Sequence, residues 1–387
     1  MARLPGVETP DRVVCHVDMD CFYAACERLR EPALEGEPVV VGMGYEAREY
    51  GVESAMAISE AFELLPRRGT ADDPEGTGVY RSVDMAFYES VSEEVKAVLD
   101  DAAETVRNVS IDEAYLDLGD LTWDEAAAFG RRLKRDIEDA AGVVASVGVA
   151  PNMTTAKLAS DADKPDGLVV VQPEEVRSFL APMDVADLHG VGPVTARELR
   201  SMELETAGDV ADADEPTLVE AFGERGRDIH AQARGEDDRE VEPTGRPKSL
   251  SSESAFVEAT DDPAEKREKV RALADEVTDR AAAKGTLYKT IGVKVVEPPF
   301  DVNTRARSLS GPVDDPELVE GVALELLSEF EGTTVRKLGV RVSNLSFADR
   351  EQASLDAWDG EGGSVGDEDR TRPRRDAGSQ ADLTEFE

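Results

Sequence analysis

The sequence predicts an α+β protein of several domains with an unstructured tail. Residues 11–178 interleave short apolar, β-branched runs with amphipathic helical segments. Residues 249–347 repeat one unit, strand then helix then strand, twice. From Ala348 onward the chain is acidic, glycine-rich and poor in apolar residues, a composition that cannot bury enough surface to fold. With 387 residues the chain exceeds one ordinary core, so about two to four compact units are expected.

Taken in order, residues 13–17 (V-V-C-H-V) form an apolar strand that ends at Asp18, and residues 22–30 read as a helix. Pro32, Pro38, Pro66, Gly69 and Gly76 break up residues 31–79 into a small mixed insertion. A helix is expected over 83–99, a strand over 105–110, a turn at 111–113 and a second strand over 114–118. The helix over 123–141 places Phe129, Leu133 and Ile137 on one face, and another apolar strand spans 143–149. This gives an α/β layer with a hairpin at its centre. Residues 179–238 are short helices separated by glycine turns, and 239–248 is an extended linker. The helices of the repeated unit are expected at 263–284 and 316–330.

Composition narrows the classes. Hydrophobic residues make up 40% of the chain, enough for cores. No apolar run approaches the ~20 residues a membrane helix needs, and the N-terminus has no signal-peptide stretch. A soluble, cytoplasmic protein without membrane contact is expected. Cys15, Cys21 and Cys26 fit no zinc spacing and read as free thiols. The net charge of −41 argues by itself against nucleic-acid binding. However, the acid is spread along the whole chain and arginine outnumbers lysine, as in adaptation to a salty cytoplasm. At molar salt the Debye length is ~3 Å, so local basic positions outweigh the total.

Two acidic motifs stand out. His16-Val17-Asp18-Met19-Asp20 ends a strand in acid, and Ser110-Ile111-Asp112-Glu113 puts two acids in a hairpin turn. A lone D-x-D in so acidic a chain would read as solvated turn residues. Together, acids at adjacent strand ends can converge, and carboxylates that close repel unless a cation joins them. Magnesium is the hard, oxygen-liganded candidate that works with phosphates. Two ions about 3.5–4 Å apart would stabilise both oxygens of an in-line displacement.

The motifs H-V-D-M-D-C-F-Y-A-A-C-E, Y-E-A-R-E-Y-G-V, S-I-D-E-A-Y-L-D, V-G-V-A-P-N and D-K-P-D-G-L stand in an order that resembles the Y-family DNA polymerases, specifically the DinB / DNA polymerase IV branch in a haloarchaeal form. The similarity spans roughly residues 11–347. It implies a right-hand polymerase with a palm at 11–30 and 80–178 and shortened fingers at 31–79. A helical thumb with a helix–hairpin–helix would follow at 179–238, then a βαββαβ little finger at 249–347 and the tail at 348–387. By this resemblance Asp18 and Asp112 contact two magnesium ions. Glu113 completes the site nearer the primer 3′-hydroxyl, and the Met19 backbone carbonyl joins the nucleotide-side ion. Asp20 lies in the motif but is not taken as a ligand. Tyr23 matches the steric-gate aromatic that excludes a ribose 2′-hydroxyl. Tyr45, Arg48 and Lys164 match the triphosphate-binding positions, where positioning and charge do most of the chemistry. Gly190 and Gly192, in L-H-G-V-G-P-V-T-A, resemble the phosphate-binding hairpin.

The last folded unit has a basic side in this reading. Leu338, Val340 and Val342 share a core face, Lys337 and Arg341 share the other, and Arg305 and Arg307 share a face as well. Basic residues are therefore expected on one side of the sheet, tracking phosphates. The tail carries Gln352-Ala-Ser-Leu355-Asp-Ala-Trp358 and Gln380-Ala-Asp-Leu383-Thr-Glu-Phe386. Both resemble the sliding-clamp box, the second being the better placed; Gln380, Leu383 and Phe386 are the expected contacts.

One departure from the family is evident. Val39-Val40-Val41-Gly42 reaches Tyr45 through Met43-Gly44 alone, where relatives insert a strand and loop of the fingers. The expected activity is template-directed transfer of nucleotides from dNTPs to the 3′-hydroxyl of primer–template DNA, by a monomer, with low fidelity, lesion bypass and no proofreading. The alternatives are a catalytically impaired, clamp-associated DNA-binding relative and a palm-fold nucleotide cyclase. The cyclase would leave the hairpin, the basic sheet and the tail unexplained.

Overall fold

The computed structural model describes residues 12–41, 45–52, 56, 58–69 and 76–347. The chain divides between Gly245 and Arg246 into two compact units.

The first unit begins with β1 (Val14–Met19), α1 (Phe22–Arg30), β2 (Val39–Val40), α2 (Tyr45–Arg48), α3 (Ile58–Leu64) and β3 (Val79–Tyr80). It continues with α4 (Met85–Ala102), β4 (Thr105–Asn108), β5 (Glu113–Asp117), α5 (Trp123–Ala141), β6 (Ala145–Ala150), α6 (Met153–Asp161) and β7 (Leu168–Val170). The helices α7 (Val176–Leu180), α8 (Pro193–Ser201), α9 (Ala207–Asp212), α10 (Glu215–Phe222) and α11 (Glu224–Ala233) complete it. The main sheet has the order β4-β5-β1-β6-β7. β1 is fully buried between antiparallel β5 and β6, and β7 runs parallel to β6.

Side-chain alternation gives this sheet two unlike faces. Cys15, Val17 and Met19 join Leu116, Val147 and Val149 in a core that α4 and α5 cover through Val95, Leu99, Phe129, Leu133 and Ile137. The stripe expected on α5 is this buried face, and the helix is fixed at its start by a Thr122–Glu125 capping box. On the opposite face, Val14, Tyr115 and Ala150 pack with Ala156 and Ala159 of α6 and with the helices that follow, through Leu180, Leu188, Leu199, Leu218 and Ile229. The close approach of α6 requires glycine on β6. A Cβ at Gly148 would lie 2.1 Å from the Ala156 carbonyl oxygen and 2.4 Å from the Ser160 nitrogen.

Neither α6 nor β7 was among the expected elements. Seven of the nine α6 residues are buried, from Met153 to Ser160 with Lys157 excepted, so no polar face marks the helix in sequence. The segment 31–79 holds a parallel β2–β3 pair and a small core of Val40, Ala47, Val52, Ala61 and Leu65. The Met43-Gly44 shortcut lies outside the described residues. The start of the expected linker is fastened to the first unit. Arg12 donates to the Arg239 carbonyl at 2.8 Å, and Val241 is buried.

The second unit comprises β8 (Ser249–Thr260), α12 (Pro263–Ala283), β9 (Thr286–Glu297), β10 (Asp301–Val313), α13 (Pro316–Leu327), β11 (Val335–Ser343) and β12 (Ser346–Phe347). Its antiparallel sheet has the order β10-β9-β11-β8, and α12 and α13 pack on one face against Ile291, Val293, Leu338, Val340 and Val342. Register corrects the expectation of a single basic side. Arg341 pairs with Gly292 and Gly339 with Lys294, so Lys337, Arg341 and Lys294 share the face away from the helices. Arg305 and Arg307 instead stand opposite Val293 and Ile291, whose side chains enter the core. They therefore lie on the helix side, where Arg305 meets Glu329 at 2.6 Å and Arg307 grips Glu325 with both nitrogens at 2.6 Å. The tail residues Gln352, Leu355, Trp358, Gln380, Leu383 and Phe386 lie outside the described residues.

Gly148→Ala is expected to destabilise the protein by about 2–3 kcal/mol, because helix backbone rather than a flexible side chain must move. Chemical unfolding in molar KCl measures it, and an unchanged midpoint would contradict the close packing of α6 on β6.

Candidate active site

The β1 strand is buried along its whole length, with His16 Nδ1 2.8 Å from the Ser160 hydroxyl, and Asp18 near its end remains only 8% exposed. Register places Asp18 directly opposite Glu113 on β5 and opposite Ser146 on β6. Met19 follows and donates its N–H to the Asp112 carbonyl at 3.0 Å, which ties the end of β1 to the hairpin turn. Ser110 shapes that turn. Its hydroxyl donates to the Asp112 carboxylate and accepts the N–H groups of Asp112 and Glu113 at 3.1 and 3.0 Å. Two backbone ladders and one serine thus bring Asp18, Met19, Asp112 and Glu113 to the same end of the sheet.

Two lysines neutralise this acid. Lys164 Nζ stands 2.7 Å from Asp18 and 2.8 Å from Asp161, and Lys157 Nζ stands 2.9 Å from Glu113. Lys157 projects from α6, whose first turn is fixed by Asn152 accepting the Thr155 N–H at 2.9 Å and by Asp237 accepting the Thr154 N–H at 3.0 Å. Burial pushes Asp18 up, to about 7, against the pull of Lys164, and the neighbouring Glu113 pushes the same way. Burial acts to raise Glu113 as well, but its hydrogen bonds with Lys157 and Asp18 hold it below the ordinary carboxylate range. Within the Asp18–Glu113 pair, Asp18 is thus the member pushed toward the protonated form and Glu113 the member held ionised.

The donor set is hard carboxylate oxygen, which suits a divalent cation of the magnesium or calcium class. Among the described residues no three acidic, histidine or cysteine side chains already enclose an ion. A cation would replace the two ammonium groups on Asp18 and Glu113.

Beside this end of the sheet, Cys21 adopts φ 47 and turns the chain from β1 into α1. Tyr23, on the first turn of α1, stacks on Tyr88 with ring centroids 4.8 Å apart and planes at 22°. The Tyr88 hydroxyl donates to buried Glu27 at 2.7 Å, so the lower ring is fixed. Burial, and after it the Asp112 charge, raises the Tyr23 hydroxyl. Tyr45 and Arg48 begin and end α2, which Arg28 ties to α1 through Glu46 at 2.5 Å. Burial raises the Cys21 thiol, and the Arg48 charge opposes it.

Comparison with known proteins gives this geometry a family. Residues 17–161 match the impB/mucB/samB family, residues 247–355 its C-terminal domain and residues 173–204 the IMS family HHH motif. The chain is 61% identical over 375 residues to DNA polymerase IV of Halobacterium salinarum, covering 93% of this chain and 91% of that protein. It is 41% identical to DNA polymerase IV of Methanoculleus marisnigri over 90% of this chain and 99% of that one. The chain belongs to the Y family of DNA polymerases, in the DNA polymerase IV branch. The fold agrees. A solved Y-family DNA polymerase chimera, Dbh-Dpo4(243-245)-Dbh, superposes with a TM-score of 0.75 at 25% identity, covering 87% of this chain and 99% of the chimera. An insertion ternary complex of Dbh DNA polymerase shares the fold with a TM-score of 0.61 at 24% identity. Y-family polymerases are metal-dependent nucleotidyltransferases, in keeping with the carboxylate end of the sheet.

The HHH match covers the expected hairpin. Leu188 and Val191 are buried anchors, Gly190 at φ 80 makes the turn that L side chains disfavour, and Gly192 caps α8 with Pro193 at its first position. A Cβ at either glycine would meet nothing within 4 Å, so the tip is open to close approach. Two residues of the site were missed in sequence. Lys157 sits on the unexpected α6, and its signal is the Asn152 cap five residues before it. Tyr88 is an aromatic on the first turn of α4, buried under Tyr23.

The Asp18 shift gives a pH prediction. Between its ordinary value of 3.8 and about 7 the folded chain holds a proton on Asp18 that the unfolded chain releases. Asp18 therefore lowers the stability of the metal-free protein progressively as pH rises through this window. Asp18→Asn should flatten that part of the pH dependence. Mg²⁺ should raise the unfolding midpoint more at about pH 8 than at about pH 6, by about 3 °C or more. Equal shifts at the two pH values would contradict the protonated pair.

Proposed function

We infer that this chain is a template-directed DNA polymerase of the lesion-bypass type, which adds nucleotides from dNTPs to a primer 3′-hydroxyl. The single observation that carries this is the register of β1 and β5. It sets Asp18 against Glu113 with Asp112 on the adjoining turn, in a chain whose relatives are DNA polymerases IV. The catalytically impaired alternative is not favoured, since pure binding gives no reason to keep these acids. In this reading residues 11–30 and 80–178 act as palm, 31–79 as fingers, 179–238 as thumb and 249–347 as little finger.

Two magnesium ions held by Asp18, Asp112, Glu113 and the Met19 carbonyl would, when bound, supply Lewis acidity at the attacking and leaving oxygens. The protein's own groups do the rest. Lys164, released from Asp18, and Arg48 neutralise the triphosphate, the lysine as a point charge and the arginine as a fork, and Tyr45 adds to this pocket. Tyr23, held by its stack on Tyr88, closes the space a 2′-hydroxyl would need. Gly190 and Gly192 offer backbone N–H groups to a DNA phosphate. Lys337 and Arg341 form a basic strip on the open face of the second sheet, where DNA phosphate would compete with Glu253, which Lys337 meets at 2.6 Å. Arg305 and Arg307, turned to the helix side and held by Glu329 and Glu325, are left out of that strip.

The partners in this proposal are primer–template DNA, dNTPs and a sliding clamp. The clamp would be engaged through Gln380, Leu383 and Phe386. The enzyme would work as a monomer in a salt-rich cytoplasm. Among the described residues no helix is long and apolar enough to cross a membrane.

Asp112→Ala is expected to abolish primer extension in high-KCl buffer with Mg²⁺ while primer–template affinity stays within about threefold. Retained extension would remove Asp112 from the metal site. Tyr23→Ala should raise ribonucleotide incorporation by roughly 100-fold relative to dNTPs. Unchanged sugar discrimination in single-nucleotide insertion would end the gate assignment.

A further inference from the structure

We propose that Asp20 is a positioning residue for the triphosphate: it fixes the loop that carries Lys164 to the end of the strand that carries Asp18. Asp20 is 7% exposed and lies two residues beyond Asp18. Its own N–H continues the sheet by donating to the Val144 carbonyl at 2.9 Å, so its side chain shares the face of Asp18. Yet its carboxylate turns to the loop. The Ser146 hydroxyl stands 2.9 Å from both Asp20 oxygens, and the Asp166 N–H donates to Asp20 at 2.7 Å. The Gly167 N–H donates to the same Ser146 hydroxyl at 3.1 Å. Two successive backbone donors of the loop therefore end on one buried acid–serine pair.

The loop is shaped for this grip. Asp166 holds φ 59, and a Cβ at Gly167 would lie 2.5 Å from the Asp163 carbonyl, so the backbone doubles back tightly. Lys134 on α5 clasps it from the other side, meeting the Gly167 carbonyl at 3.1 Å and the Asp166 carboxylate at 2.7 Å. Lys164 sits two residues before the gripped N–H, and its Nζ reaches Asp18 at 2.7 Å. Asp18 and Lys164 thus hang from one frame, and Asp20 sets the spacing between the acid that holds metal and the ammonium that holds phosphate. A charge-assisted bond to a buried carboxylate is stiff enough for this role. An amide at position 20 keeps the shape but removes the charge and one acceptor oxygen, so Ser146 must turn its hydroxyl to accept and the charge-assisted bond to the Asp166 N–H is weakened.

The inference rests on the assignment of Lys164 to the triphosphate, and the experiment separates the two. Single-nucleotide insertion kinetics, primer–template affinity and Mg²⁺ dependence are measured for Asp20→Asn, Ser146→Ala, Lys164→Ala and the double variants with Lys164→Ala. Asp20→Asn is expected to raise KM for the dNTP by about tenfold or more, with DNA affinity and Mg²⁺ dependence unchanged. Ser146→Ala, which keeps the Asp20–Asp166 bond, should act in the same direction more weakly, and it carries the test if Asp20→Asn does not fold. In the Lys164→Ala background either change should add less than about twofold, because the loop then has nothing left to position. If Lys164→Ala leaves KM unchanged, the triphosphate assignment itself fails. If Lys164→Ala raises KM but the Asp20 and Ser146 variants do not, or if their effects multiply with it, the positioning role is overturned.

Discussion

The site depends on one electrostatic constraint. The pairing of β1 with β5 sets two carboxylates, buried Asp18 and half-buried Glu113, opposite each other at the strand end, where burial weakens the screening of their charges by water. Something positive must stand between them. Without metal, Lys164 and Lys157 fill that need, and Asp18 is pushed toward its protonated form. In the proposed function a cation takes the place of these ammonium groups, and Lys164 is then free to meet phosphate. A surface acid cluster would need none of this, because solvent would screen it.

The rest of the first unit serves that arrangement. The apolar face of the sheet is sealed by α4 and α5, which completes the burial of β1. On the other face Gly148 lets α6 lie directly on β6 and so delivers Lys157 to Glu113. The loop after α6 brings Lys164 back to the same strand end, and Asp20, Ser146 and Lys134 hold it there. The acidic composition is compatible with this chemistry because the positive groups are few and placed. In concentrated salt the distant acid acts weakly on DNA.

Much of this was legible in sequence where residue type and local period decide the matter. The acids of H-V-D-M-D and S-I-D-E could be read because metal-dependent phosphoryl transfer demands carboxylates at strand ends. The α5 stripe could be read because Phe129, Leu133 and Ile137 recur at helical spacing. The repeated unit could be read because the order strand, helix, strand recurs twice over residues 249–347. Other features were hidden for physical reasons. Helix α6 is buried nearly all round by small residues, so it has no stripe to betray it, and Lys157 went unnoticed on it. Alternation showed that Arg305 and Arg307 share a face but not which one. Only the register with Val293 and Ile291 decides that an edge strand turns them toward the helices. The tie from Asp20 to the Asp166 N–H spans 146 positions and follows from tertiary packing alone.

The central claim is that these carboxylates and lysines form a working polymerase site despite the shortened segment before Tyr45. Running-start primer extension on damaged and undamaged templates, with Mg²⁺ and dNTPs across a KCl series, tests it most directly. The account predicts template-directed, Mg²⁺-dependent extension on the undamaged strand and continuation past the lesion at high KCl. A protein that binds the primer–template yet adds no nucleotide to either template at any KCl concentration would contradict it.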